Sequence, residues 1–78
     1  MSGWNHRLMK RADGSVNICE VFYDKNDLPF GYGESEAIWA PGDAQDPTSS
    51  IREQLLQMLT ATEKPILSKE DMIGAPPI

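Results

Sequence analysis

The fold is decided by residues 16–23, which read Val16-Asn17-Ile18-Cys19-Glu20-Val21-Phe22-Tyr23. Five of these eight residues are β-branched or aromatic, a composition typical of a β-strand within a packed sheet. Turn-forming residues stand on both sides of the stretch, as Ala12-Asp13-Gly14-Ser15 and Asp24-Lys25-Asn26-Asp27. We therefore expect a central strand with an antiparallel neighbour on each side.

The first neighbour is residues 4–10, where side chains alternate with the period of two that a strand requires. If Asp13 and Gly14 are the two central residues of the turn, Leu8 lies opposite Cys19. The same register pairs His6 with Val21 and Trp4 with Tyr23. All six of these paired side chains then share one face of the sheet.

The second turn gives a matching assignment, because it places Tyr23 opposite Leu28, Val21 opposite Phe30 and Cys19 opposite Tyr32. The opposite face is then expected to carry Arg7, Met9, Ile18, Glu20 and Phe22. When several large apolar side chains are exposed on one surface, that surface is more often an interface than a patch without function. We predict that Ile18, Phe22, Met9 and Arg7 bind a protein partner, with a homodimer as one such arrangement.

The third strand is expected over residues 28–39, interrupted by a bulge near Gly31 and Gly33. A loop over residues 40–46 precedes a helix that ends at Lys64-Pro65. Two starts are compatible with the sequence: Asp46-Pro47, as a cap followed by a first-turn proline, and the capping box Ser50-Ile51-Arg52-Glu53. The apolar residues of this helix recur at helical spacing and should pack on the sheet: Ile51, Leu55, Met58, Leu59 and Thr62.

The predicted fold class is α+β, a three-stranded antiparallel β-meander with one C-terminal α-helix packed on one face. Residues 1–67 form a single ββ-β-α domain, and residues 68–78 a short turn and a mobile tail. A chain of 78 residues is long enough for one small domain. It leaves little room for a large enclosed catalytic cavity.

Charge and cysteine content narrow the function classes. The net charge of -5 opposes the wrapping of a nucleic acid backbone, so we expect no direct nucleic-acid binding. The single cysteine, Cys19, rules out an intramolecular disulfide and favours a cytoplasmic protein. One histidine and one cysteine cannot make a structural zinc site, and we expect no cofactor and no membrane association.

Residues 26–51 carry several acidic residues and no lysine or arginine. The next basic residue along the chain is Arg52. Glu34 and Glu36 in this segment are candidates for binding a basic partner, alongside the alternative that the segment is only a solvated surface. The aromatic residues Trp4, Tyr23, Tyr32 and Trp39 are assigned to core and rim packing. An enzyme that uses His6 and Cys19 as base and nucleophile is a third alternative, since the register places them diagonally on one face.

The order of motifs resembles a family of short uncharacterised bacterial proteins. The residues that carry it are Trp4-Asn5-His6-Arg7, Ile18-Cys19-Glu20-Val21-Phe22-Tyr23-Asp24, Gly33-Glu34-Ser35, Leu55-Leu56-Gln57-Met58-Leu59 and Lys64-Pro65-Ile66-Leu67. This resemblance implies the α+β fold described above, and it implies no particular activity.

Pro41-Gly42 and the helix over residues 51–59 are more weakly similar to the N-terminal domain of HicB-type antitoxins. That similarity implies an acidic inhibitor that masks a basic partner, without the DNA-binding domain usual in that family. Our leading expectation is a protein-binding module without catalysis, and the antitoxin-like inhibitor is the alternative.

Overall fold

The computed structural model describes residues 3–35 and 38–75. Strands β1 (Gly3–Lys10), β2 (Val16–Tyr23) and β3 (Pro29–Glu34) form an antiparallel sheet in the order β1-β2-β3. Helix α1 (Pro47–Ala61) packs on β1, and a short 3₁₀ helix follows over Lys69–Asp71. The predicted three-stranded meander with one packed helix is confirmed.

The predicted register of the first hairpin is wrong by one residue. Cys19 lies opposite Arg7 and not Leu8. The reason is the loop, which closes with the Arg11 amide bonded to the Ser15 carbonyl and leaves three residues between them. Gly14 supplies the left-handed backbone conformation that this loop needs, with φ 89°. Asp13 accepts hydrogen bonds from the hydroxyl and amide of Ser15, which lower its pKa.

Gly14→Ala tests this loop, because only glycine takes a φ of 89° without strain. The substitution should lower the free energy of unfolding by about 1 kcal/mol in urea titrations. Gly31→Ala is the matched control, since a Cβ there meets no atom within 4 Å and the backbone needs no positive φ. An equal loss in both variants would contradict the left-handed conformation of Gly14.

The second hairpin repeats this design. The Asp24 amide bonds to the Leu28 carbonyl, and Asp27 takes the left-handed position with φ 61°. A bulge between Phe22 and Tyr23 then shifts the pairing, so that Val21 lies opposite Tyr32 instead of Phe30. Strand β3 ends at Glu34, earlier than predicted.

The one-residue shift in the first hairpin turns β1 over relative to β2, since neighbouring residues point to opposite faces. One face, here called the helix face, carries Trp4, His6, Leu8, Ile18, Glu20 and Phe22. The other, the strap face, carries Arg7, Met9, Cys19, Val21 and Tyr23. The buried apolar cluster lies on the strap face and consists of Met9, Cys19 and Val21.

Residues 66–75, here called the strap, cover this cluster. Leu67 pairs with the outer edge of β1, where its amide bonds to the Leu8 carbonyl at 2.9 Å and its carbonyl to the Lys10 amide at 2.8 Å. Leu67 and Met72 pack against the buried cluster. A short turn and mobile tail were expected from residue 68. The expected turn is the 3₁₀ helix. The chain through residue 75 is held by hydrogen bonds to the second hairpin. Residues 76–78 lie outside the described residues.

The far end of the strap is held by the second turn. The Gly74 amide bonds to the Pro29 carbonyl at 2.8 Å, and the Ala75 amide to Asp24 Oδ2 at 3.1 Å. Asp24 Oδ1 also accepts the amides of Asn26 and Leu28. These backbone hydrogen bonds, with that of Leu28 the largest cause, lower the pKa of Asp24 and keep its carboxylate ionised.

Helix α1 is capped by Asp46, which accepts hydrogen bonds from the amide and hydroxyl of Ser49 at 3.1 and 2.8 Å. Pro47 follows in the first turn, so the helix uses the earlier of the two starts that the sequence offers. The inward residues differ from the predicted stripe, because Leu55, Leu59 and Thr62 are exposed. The side chains that are buried or half-buried are Ser49, Ile51, Gln54, Met58 and Ala61.

No helix within residues 3–35 and 38–75 is long and apolar enough to span a membrane. The same residues contain no group of three His, Cys, Asp or Glu side chains placed to hold a metal ion.

Candidate binding cleft

A cleft opens on the helix face where α1 crosses β1, with a volume of about 530 Å³. Its walls come from both strands of the first hairpin, from the segment that precedes α1, and from one flank of α1. The lining residues are Trp4, His6, Glu20, Trp39, Pro41, Ser50, Gln54, Gln57 and Met58. None of them is a lysine or an arginine.

Two tryptophans dominate this cleft. Trp4 is 53% exposed and Trp39 is 60% exposed. Trp39 is tied to α1 through its backbone, because its carbonyl accepts Gln54 Nε2 at 2.7 Å and its amide donates to Gln54 Oε1 at 3.4 Å. Gln54 therefore fixes one aromatic wall relative to the helix.

His6 is the buried polar group of the cleft. Its Nδ1 lies 2.9 Å from Ser35 Oγ, and its ring meets that of Trp4 edge to face with centroids 5.3 Å apart. These contacts fix the His6 ring and place Trp4 above it. Glu20 is the cross-strand neighbour of His6 on the same face.

A serine bonded to an imidazole nitrogen invites comparison with an activated nucleophile, which also needs a group that orients the base. Within the described residues, His6 has no hydrogen bond to a carboxylate, and Ser35 does not line the cleft. The His6–Ser35 contact instead holds the chain after β3 against β1. The arrangement suits the binding of a ligand by aromatic walls and one carboxylate.

The predicted pair of His6 and Cys19 does not form. His6 belongs to the helix face and Cys19 to the strap face, so the two side chains project to opposite sides of the sheet. Cys19 is buried beside Asn17, and this burial raises the pKa of its thiol. A buried thiol with a raised pKa is a poor nucleophile.

The predicted partner surface is divided between the two faces. Ile18 and Phe22 lie on the helix face, Ile18 half-buried and Phe22 exposed, beyond the strand that α1 contacts. Met9 is buried on the strap face and takes no part in an exposed patch. The cause is the three-residue loop, which reverses the orientation of β1.

Arg7 also lies on the strap face, half-buried, where Nη2 donates to the Pro65 carbonyl at 2.8 Å and Nη1 to the Tyr23 hydroxyl at 3.4 Å. Glu34 pairs with Arg11 across the sheet. Glu36 lies outside the described residues. Arg7 and Glu34 therefore make contacts within the chain.

The sequence did not lead us to predict this cleft, because we assigned Trp4 and Trp39 to core and rim packing. One signal was present in the sequence. Trp39 stands two residues before Pro41-Gly42, at the start of a polar loop that has few large apolar residues to cover an indole ring. In comparisons with known proteins, no family model, no curated protein and no solved structure matched the chain.

Proposed function

We propose that this chain is a protein-binding module without catalysis, and that its cleft accepts a basic side chain, arginine or lysine, of a partner protein. The observation that carries the proposal is the pair of tryptophans, each more than half exposed, around a cleft that holds the carboxylate of Glu20. The segment that presents the basic side chain would run across the mouth of the cleft.

Aromatic walls favour a cation for a physical reason. The face of an indole ring carries negative potential, so a guanidinium or ammonium group above Trp4 or Trp39 is attracted to it. Tryptophan is also enriched among the residues that contribute most to protein interfaces. The two exposed rings therefore suit a cationic side chain better than an anionic one.

Glu20 supplies the complementary charge. It is half-buried on the helix face and lies among cleft residues that include no lysine or arginine. The apolar stem of an arginine or lysine can lie along Pro41 and Met58 while its charged end meets the carboxylate. The net charge of -5 adds long-range attraction for a basic partner.

The proposal is tested with acetyl-Gly-Arg-Gly-amide and a peptide in which citrulline, neutral and of the same shape, replaces arginine. The chain has two tryptophans, so NMR gives two indole N–H signals to follow. We expect both to shift with the arginine peptide, with a dissociation constant of about 1 mM for so small a ligand. Unmoved signals, or equal shifts with citrulline, would refute the proposal.

Glu20→Gln should weaken binding of the arginine peptide about fivefold, since it removes one partly buried charge interaction. Glu34→Gln is the matched control, because it makes the same change of net charge on the other side of the sheet. An equal loss of affinity in the two variants would point to general electrostatics and away from the cleft.

A second candidate is an antitoxin-like inhibitor that masks a basic partner through the acidic segment. The net charge of -5 favours it. Its support is smaller, because Glu34 pairs with Arg11 and Asp46 caps α1. The buried, reduced thiol of Cys19 is the reason we propose the cytoplasm as the compartment.

A further inference from the structure

We infer that α1 is also an interface between two copies of this chain, packed antiparallel about a twofold axis. The proposal uses the outer stripe of the helix, defined as Arg52, Leu56, Leu59 and Glu63. Their spacing of four, three and four residues places them along one line on the helix surface. This line lies opposite the residues that face the sheet.

The centre of the outer stripe is apolar and open to solvent. Leu56 is 53% exposed and Leu59 is 58% exposed, and Leu55 beside them is exposed as well. Adjacent leucines of this kind on a chain with so small a buried cluster indicate an interaction surface.

The ends of the stripe carry opposite charges. Arg52 is exposed near the start of α1, and Glu63 is exposed just after its end, where the helical turn continues with the Glu63 amide bonded to the Thr60 carbonyl at 3.0 Å. Neither has an ion-pair partner among the residues that the structure describes.

These two features make the stripe complementary to itself. When two copies run antiparallel about an axis between residues 57 and 58, Arg52 of each copy meets Glu63 of the other, and Leu56 meets Leu59. A parallel pair would instead bring Arg52 to Arg52 and Glu63 to Glu63. Charge complementarity therefore selects a second copy as the occupant and fixes its direction.

The interface leaves the cleft accessible, because the cleft uses the flank of α1 that carries Ser50, Gln54 and Gln57. The stripe is about 16 Å long at the helical rise per residue, which makes the contact smaller than the roughly 800 Å² per partner of a standard interface. We expect a concentration-dependent equilibrium between monomer and dimer, with two clefts on the dimer.

Sedimentation velocity over a concentration series tests the inference. Arg52→Glu should weaken self-association about tenfold, since it turns both attractive charge pairs of the dimer into repulsive ones. Glu63→Arg should do the same. An equimolar mixture of the two variants should recover the wild-type affinity, because only a dimer of unlike chains brings an acidic residue against a basic one at each end of the stripe. A chain that carries both substitutions should recover it too, since its two charges are simply exchanged.

Glu53→Arg is the matched control, because it makes a charge reversal of the same size one residue away from the stripe and should leave self-association as it is. A wild-type chain that stays monomeric at about 1 mM would overturn the inference, as would single variants that do not recover on mixing. Both outcomes leave the peptide titration of the cleft unaffected, so the two proposals fail independently.

Discussion

Gly74→Ala should release the strap from the sheet and expose the core thiol to solvent. A Cβ at residue 74 would lie 2.5 Å from the Leu28 carbonyl oxygen and 2.8 Å from Asp24 Oδ2. The nearest obstacle is backbone held in a hairpin turn, so it cannot move aside as a flexible side chain would. The strap must shift away from that turn.

Such a shift breaks the hydrogen bond from Gly74 to the Pro29 carbonyl and loosens Met72 from the buried cluster. The loss should amount to about 2 kcal/mol of docking free energy, which corresponds to a roughly 30-fold increase in the open population.

Cys19 gives the measurement, because it is the single cysteine of the chain and is 2% exposed. We expect its rate of reaction with a thiol reagent such as DTNB to rise about 30-fold in Gly74→Ala under native conditions. Gly42→Ala is the control, since a Cβ there meets no atom within 4 Å. An unchanged labelling rate in Gly74→Ala would show that the strap does not shield the thiol.

Met9→Ala should be the most destabilising single truncation in β1. Met9 is among the most deeply buried side chains and packs with Cys19 and Val21 under the strap. Truncation of a buried methionine removes about 2–5 kcal/mol from the free energy of unfolding, because a cavity adds to the lost burial. Urea unfolding followed by circular dichroism measures the change.

Leu8→Ala is the matched comparison, since Leu8 is the next residue of the same strand, half-buried on the helix face. We expect Leu8→Ala to lower the free energy of unfolding less than Met9→Ala does. Met9→Leu keeps the volume and should cost less than about 1.5 kcal/mol, so it remains measurable if Met9→Ala does not fold. If Leu8→Ala lowered the free energy of unfolding more than Met9→Ala, the result would support the register expected from a two-residue turn.

The elements of the fold were predictable because their signals are local. A run of β-branched and aromatic residues gives β2, and Asp46-Pro47 marks the start of α1. The register of the first hairpin was not predictable, because Asp13-Gly14 is compatible with loops of two or three residues. The choice between these loop lengths depends on the hydrogen bonds of Ser15 to Asp13. One residue of difference moved Met9 from the expected interface into the core.

The orientation of α1 shows a second limit of sequence reasoning. Hydrophobic periodicity predicted Leu55 and Leu59 toward the sheet, but Ala61 is the buried residue of the helix. A small side chain lets the helix approach β1 closely, and periodicity cannot tell which apolar neighbour a stripe meets. The exposed position of Trp39 left a signal in the sequence, but the geometry of the cleft was beyond prediction, because Trp4, Trp39 and Gln54 are far apart in sequence and line one cleft only when α1 packs.

The strap has a consequence for aggregation. A three-stranded sheet has two outer strands whose unpaired backbone groups invite pairing with other chains. Leu67 occupies part of the edge of β1, and Gly74 bonds to the first residue of β3. The segment that covers the core thus also occupies part of the β1 edge and the start of β3, and conditions that open it should expose these backbone groups to pairing with other chains.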